Sequence, residues 1–309
     1  MEKPPIFNYG GCDLWTALKD KRILRSFNLE PISPLKTRSF DFSQGYYPVQ
    51  SPSVVSLYTN PGSVAASLID DVLLRENPVD DIYQIYNEVV KFPYLDYWKK
   101  NVSKDDFLVL NFSSEFYNRF DTGREYFTLI PQFHNLREDE WVKREVLHKT
   151  KFHIEFNAKE IHDRTKDYMR DFARQIYDVF KNRVVIVRTR FTDRIIVNKN
   201  LEVKKLQNEM LNVSYFSTNK FRINEESLDY VQSFADLIVK FFRHNYKADL
   251  PVVDIPNEFV FMDLNHPYGV TPFHLHSVSS NLISGRILEE IRTIQTKNLL
   301  SESNETSRS

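Results

Sequence analysis

Two stretches of the 309-residue chain concentrate side chains able to do covalent chemistry. The first is Asn8-Tyr9-Gly10-Gly11-Cys12-Asp13, where two of the seven glycines adjoin the single cysteine. A thiol becomes a good nucleophile when its pKa falls, and a helix N-terminus after a tight turn achieves this by setting partial positive charge beside the sulfur. Cys12 is therefore a candidate nucleophile, and the N–H groups of Gly11 and Cys12 are candidate oxyanion donors. The competing reading makes Cys12 a small buried hydrophobe and the glycines a plain turn. The second stretch, Met262 to His276, holds His266, His274 and His276, three of the eight histidines. Asp263 stands three residues before His266, so in a turn its carboxylate can reach the imidazole Nδ1–H, fix the tautomer and stabilise the imidazolium. His266 or His274 would then be the general base and Asp263 its orienting partner. Two further readings stay open here: histidines that cap a turn, or His266, His274 and His276 with Asp263 around a metal ion.

Asn111, after a run of apolar residues, could donate its amide to an oxyanion or simply satisfy a strand end. Arg188-Thr189-Arg190 follows another apolar run; its two cations suit a phosphate or an acidic sugar, or else form solvated ion pairs.

The elements that must position these groups are read from periodicity. Pro5 to Tyr9 predicts a strand, followed after Gly10-Gly11 by a helical turn over Asp13 to Lys19. Asn28 to Pro61 predicts a long ordered excursion with one strand at Ser53 to Tyr58. Ser63 to Leu74 and Val79 to Val90 predict helices, and Pro93 to Trp98 an aromatic cluster at a helix end. Phe107 to Phe112 is continuously apolar, the pattern of a strand buried on both faces. Asn157 with Glu160 opens a helix reaching Phe180, and Val184 to Val187 predicts a second buried strand. Asn224 caps another helix, Glu258 to Met262 predicts a strand, and Asn281 to Ile294 predicts the last helix before a disordered polar tail, 301–309. Strands alternating with amphipathic helices give a single α/β domain over residues 1–300: a three-layer sandwich, with a mostly parallel sheet covered by helices on both faces. In such sheets sites form beyond the carboxyl ends of the strands, where both motifs fall.

Composition bounds the function. Forty-one Lys and Arg nearly cancel forty-two Asp and Glu, so no global field recruits nucleic acid. One cysteine excludes an internal disulfide and a Cys-rich zinc site, and fits a reducing compartment. No stretch approaches the ~18 apolar residues of a membrane span, and the N-terminal residues lack a signal-peptide pattern. The expectation is a cytoplasmic protein without membrane insertion.

These motifs carry a resemblance. Gly10-Gly11-Cys12 and Asp263-Leu264-Asn265-His266-Pro267 resemble the Gly-Asp-Ser and Asp-x-x-His-Pro blocks of SGNH (GDSL-type) hydrolases in order and placement. The chain more closely resembles a bacterial domain family of unknown function within the SGNH-like group, found with capsule and surface-polysaccharide genes. That family has Gly-Ser-Cys after its first strand and a final segment similar to Asp263-x-x-His266-x-Tyr268-Gly269-x-x-Pro272-Phe273-His274. Gln50 to Tyr58 resembles its second block, which makes Ser53 a candidate substrate-binding residue, and Phe107 to Glu115 resembles its central strand. Gly11 stands where the family has Ser, and Asp13-Leu14-Trp15 replaces its usual tract after the cysteine.

The resemblance implies an SGNH-hydrolase or flavodoxin-like fold. It also implies an acyl or acetyl transferase or esterase acting on a sugar or surface-polysaccharide precursor, of capsule or teichoic type. In it Cys12 attacks, His266 or His274 moves the proton and Asp263 orients the imidazole. Gly10, Gly11, Ser53, Asn111 and Arg188 bind substrate or oxyanion. The partners are then a glycopolymer precursor, an acyl donor and proteins of polysaccharide biosynthesis, and no cofactor is required. Two alternatives are retained: a catalytically inactive SGNH-like binding or assembly protein, and a metal-dependent hydrolase using the three histidines.

Overall fold

The structure, a computed structural model, describes residues 3–29, 54, 94–113, 119–121, 126–128, 151–153, 158–197, 202–205, 225–265 and 274–306. The N-terminal run Pro-Ile-Phe-Asn-Tyr forms β1 (Pro5–Tyr9), and the Gly10-Gly11 turn leads into α1 (Cys12–Leu18) and α2 (Lys21–Ser26). There follow β2 (Asn28–Leu29), α3 (Tyr94–Asn101) and β3 (Phe107–Leu110). Three short strands, β4 (Arg119–Asp121), β5 (Tyr126–Thr128) and β6 (Lys151–His153), pair antiparallel in the order β5-β4-β6. Next come α4 (Ala158–Phe180), β7 (Val184–Val187) and the antiparallel pair β8 (Arg194–Ile196) and β9 (Val203–Lys205). The chain ends in α5 (Glu225–Tyr246), β10 (Val252–Val253) and α6 (Ser277–Thr306).

Five of these strands make one parallel sheet in the order β2-β1-β3-β7-β10. Successive residues of a strand face opposite sides of a sheet, and here both sides are apolar. Phe7, Tyr9, Leu108, Leu110, Val184 and Ile186 pack with Phe172, Ile176 and Phe180 of α4 and with Phe234, Ile238 and Phe242 of α5. Ile6, Phe107, Val109, Val185, Val187 and Val253 pack with Leu14 and Leu18 of α1 and with Ile283, Ile287 and Ile291 of α6. Helices cover both faces because leaving either to water would expose an entire apolar layer. From β1 the sheet extends one way to β2 and the other way to β3, β7 and β10, so the order reverses between β1 and β3. At such a reversal the loops leave in opposite directions and open a crevice at the carboxyl ends.

Two differences from the sequence reading have local causes. The fifth strand is Val252–Val253, not Glu258 to Met262; a two-residue strand between Pro251 and Pro256 is too short to show a period. The apolar stretch after it instead forms a 3₁₀ turn at Asn257–Phe259 and a single bridged residue, Met262. The last helix starts at Ser277 and runs on to Thr306, into the stretch 301–309 whose polar composition predicts a disordered tail. The described part of the aromatic cluster, Tyr94 to Trp98, opens α3, and Trp98 meets Tyr9 and, at the end of α4, Phe180 edge to face. The predicted strand at Ser53 to Tyr58 and the helices at Ser63 to Leu74 and Val79 to Val90 lie outside the described residues, apart from Val54, which is helical and buried. Among the described residues no helix is long and apolar enough to cross a membrane.

Arg183 locks the layers at the amino end of the sheet. It is 8% exposed, and its guanidinium donates to the carbonyls of Ser103 (2.6 Å), Asp106 (2.9 Å), Phe180 (3.1 Å) and Val179 (3.2 Å). It thus ties the end of α4 to the turn before β3, itself closed by Asp106 accepting from the Ser103 N–H and hydroxyl at 2.6 Å each. A buried cation is tolerable only when its donors are all engaged. Arg183→Leu, which keeps apolar bulk but leaves these carbonyls without their donor, is expected to lower stability by about 3 kcal/mol in urea denaturation.

Candidate functional site

The carboxyl ends of β1 and β3 meet in a cluster of buried polar groups. Asn111 N–H donates to the Tyr9 carbonyl at 2.7 Å, extending the ladder one residue beyond β3. The Asn111 side chain, fully buried, donates Nδ2 to Asp13 Oδ2 (3.0 Å) and, more weakly, to the Val187 carbonyl (3.5 Å); its Oδ1 accepts the Ser113 N–H (2.8 Å). Ser113 Oγ donates to Asp13 Oδ1 at 3.1 Å. Asp13, in the first turn of α1, is 5% exposed. Its carboxyl titrates above the ordinary 3.8: burial raises it, and hydrogen bonds from the Leu14 N–H, Ser113, Asn111 and its own N–H oppose that rise.

This packing explains both glycines. A Cβ on Gly10 would come within 2.8 Å of Asn111 Cβ and 2.9 Å of Leu14 Cδ2. A Cβ on Gly11 would come within 2.2 Å of Ser113 Oγ and 3.1 Å of Asp13 Oδ1. The turn lies directly on β3's continuation, and only residues without side chains fit there. Gly11 is also the N-cap of α1 and supplies no side-chain hydrogen bond, so Cys12 opens the helix uncapped from the N-terminal side.

The C-terminal motif is built by a second, smaller device. Asp263 N–H donates to the His274 carbonyl and His276 N–H to the Phe261 carbonyl, both at 2.8 Å, so Met262 pairs with Leu275 and Asp263 stands opposite His274. Met262 and Leu275 are buried in the core. Met262 also bridges Ile195 of β8, which fastens the motif to the segment leaving the carboxyl end of β7. His274 is buried, while the Asp263 carboxylate accepts the Asn265 N–H at 2.9 Å.

Comparison with protein-family models, curated proteins and solved structures finds no match to this chain.

Of the sequence-predicted site residues, the structure brings Gly10, Gly11 and Asn111 together, and it sets Asp263 opposite His274 through a backbone hydrogen bond. His266 and Ser53 lie outside the described residues. Two assignments change. Asn111 is not poised as an oxyanion donor, because its amide is turned onto Asp13 and Val187. Arg188 is not a free cation: it donates to Asp236 of α5 at 2.5 Å and to Gln232 at 3.1 Å, while neighbouring Arg190 grips Asp254 with two hydrogen bonds of 2.7 and 2.6 Å. Each guanidinium has found a carboxylate, as cations at the edge of a low-dielectric core must. His276 accepts the Val278 N–H on Nδ1 at 3.2 Å and thereby serves the start of α6, which removes that atom from the metal-ligand reading. Among the described residues no group of three metal-ligating side chains occurs.

Asp13 and Ser113 are the members that the sequence reading missed. Asp13 entered only as a departure from the family pattern, and Ser113 is an unremarkable serine after a strand. The available signal was the buried strand itself: polar residues following it directly must find partners, and the turn after the neighbouring strand is where they are.

Gly11→Ala is expected to destabilise by about 1–3 kcal/mol through the clash with Ser113, and much of that cost should disappear when the substitution is made in a Ser113→Gly background. Chemical denaturation of the four proteins in that cycle measures it. The carboxyl of Asp13 gives a pH signature of definite sign. Because the folded state holds this proton more tightly than the unfolded chain, the cost of the buried charge fades as pH falls through the folded pKa towards 3.8. The stability of the wild type relative to Asp13→Asn is therefore expected to improve as urea denaturation is repeated from neutral pH down to about pH 4. A difference that stays constant over that range would contradict it.

Proposed function

We propose that this chain is an SGNH-like acyl-transfer enzyme, an esterase or O-acetyltransferase acting on a sugar or surface-polysaccharide precursor in the bacterial cytoplasm, with Cys12 as its nucleophile. The observation that carries this reading is the backbone pairing that sets Asp263 opposite His274 beside an antiparallel bridge, directly ahead of the last helix. The strand order supports it too, since β2-β1-β3-β7-β10 is the 2-1-3-4-5 order of the flavodoxin-like sheet. Cys12 begins a helix at the reversal of that order, where such sheets bind their ligands.

In this scheme His274, with His266 as the alternative base, takes the Cys12 proton as sulfur attacks the acyl carbon. Asp263 holds the tautomer and stabilises the imidazolium. The tetrahedral oxyanion rests on the N–H groups of Gly11 and Cys12, with Asn111 withdrawn from that role. Collapse expels the alkoxide, which takes the proton back from the imidazolium and leaves an S-acyl enzyme. Water or an acceptor hydroxyl then attacks that thioester, giving its proton to the same imidazole, and the thiol leaves with the acyl group transferred. A carbohydrate precursor and an acyl donor are the required partners, and no cofactor enters.

The second reading, an SGNH-like binding or assembly protein of polysaccharide biosynthesis without turnover, is favoured by one observation. Asp13, Asn111 and Ser113 satisfy one another at the crevice between β1 and β3, which leaves that polar cluster closed.

The test is hydrolysis of p-nitrophenyl acetate and transfer from acetylated sugars. Cys12→Ala is expected to abolish turnover, and Asp263→Asn and His274→Gln to lower kcat by about 100-fold or more with the fold retained. A wild type inert toward both esters, which binds a glycopolymer equally well with and without the Cys12 side chain, moves the assignment to the second reading.

A further inference from the structure

Asp13 is a buried carboxylate that the acyl-transfer scheme leaves without a role. Cys12 lies between two residues that are both fixed against Ser113. On one side the backbone of Gly11 sits so close that a Cβ would be 2.2 Å from Ser113 Oγ. On the other the Asp13 carboxylate accepts from that same Oγ at 3.1 Å and from Asn111 at 3.0 Å. Asn111 and Ser113 continue β3, and Asn111 also reaches the Val187 carbonyl at the end of β7. The backbone of Cys12 is thus held from both flanks, by the close seat of Gly11 and by one carboxylate and its two donors. We propose that Asp13 is a positioning residue for Cys12, holding the β1–α1 turn on the ends of β3 and β7 so that the backbone of the cysteine stands at a fixed place next to a negative charge. This rests on the acyl-transfer reading for its consequence in turnover, but not for its consequence in thiol chemistry.

The electrostatic setting follows from what the carboxylate touches. The N–H groups of Asp13 and Leu14 at the start of α1 point to it, so Asp13 absorbs part of the helix's N-terminal field that a thiolate would otherwise use. Its own negative charge, one residue away, opposes a second negative charge on sulfur. Among the described residues the groups facing it are neutral: the Asn111 amide and Ser113 hydroxyl from β3's continuation and the two N–H groups of α1. Removing the charge should therefore make the thiol more acidic even while it loosens the turn. A staple of purely structural value gives no such split.

The full-length protein is alkylated with iodoacetamide across a pH series; with Cys12 the only cysteine, the signal belongs to one site. Turnover of p-nitrophenyl acetate and thermal denaturation are followed on the same samples. Asp13→Asn is expected to move the alkylation midpoint down by about half a pH unit or more. It should also lower kcat by roughly tenfold with KM within about twofold. Ser113→Ala, which keeps the charge and loses one bond, is expected to leave the midpoint in place and lower kcat less. If both variants lose thermal stability but keep the wild-type midpoint and kcat, Asp13 only holds the fold together and the proposal is overturned. If the wild type shows no ester turnover, yet the midpoint moves in Asp13→Asn and not in Ser113→Ala, the acyl-transfer reading falls and the link between Asp13 and Cys12 stands. Should Asp13→Asn not fold, Asp13→Glu decides: an unchanged midpoint with lowered kcat supports the positioning role, and wild-type kcat refutes it.

Discussion

Polar groups buried at the ends of the central strands of a sheet covered on both faces must be answered by another part of the protein. Asn111 is where that constraint is most demanding: fully buried, one residue beyond β3, with a side chain that carries two donors and an acceptor. Its answers come from three elements, the Asp13 carboxylate on α1, the Val187 carbonyl of β7 and the Ser113 N–H of its own chain. The amide helps to hold the β1–α1 turn close against the continuation of β3, and the contacts of that turn with Asn111 Cβ, Leu14 and Ser113 Oγ are what require Gly10 and Gly11.

The same logic operates along the carboxyl edge towards β10. Arg188 and Arg190 emerge on the side of the sheet that α5 covers, and each meets a carboxylate, Asp236 or Asp254. Gln232 of α5 relays between the Arg188 guanidinium and the Thr189 carbonyl. The edge is therefore partitioned by charge. Among the described residues, the edge over β7 and β10 is ionic and internally neutralised, whereas over β1 and β3 the buried Asp13 lies among neutral dipoles.

What the sequence makes legible is what repeats along it. Continuous apolar runs mark β3 and β7, helical periodicity marks α4 and α5, and the glycine pair marks the turn into α1. Each signal is local and is carried by several residues. β10 escapes because two valines cannot display a period, and Phe261-Met262, which look more like a strand, spend their pairing on β8 and Leu275. The polar cluster escapes for a different reason: Asn111 and Asp13 are 98 residues apart, and nothing in either neighbourhood names the other. The opposition of Asp263 and His274 is intermediate. Proximity in sequence points to the group, but spacing favours Asp263 with His266, whereas the bridge sets Asp263 opposite His274.

Ser284 of α6 lies 2.6 Å from the carbonyl of Ala17 in α1, a contact between residues 267 positions apart. The first helix of the chain is thus covered by the last, and β1 is paired on one side by a strand that begins at Phe107. During synthesis the N-terminal segment, with Ile6, Leu14 and Leu18 destined for the core, emerges long before its covering exists. It stays without that cover until α6 has been translated. A topology of this kind concentrates its loop-closure cost at the end of folding. Because α6 covers Leu14 and Leu18, truncation of that helix would expose this apolar surface and act on the yield of folded protein.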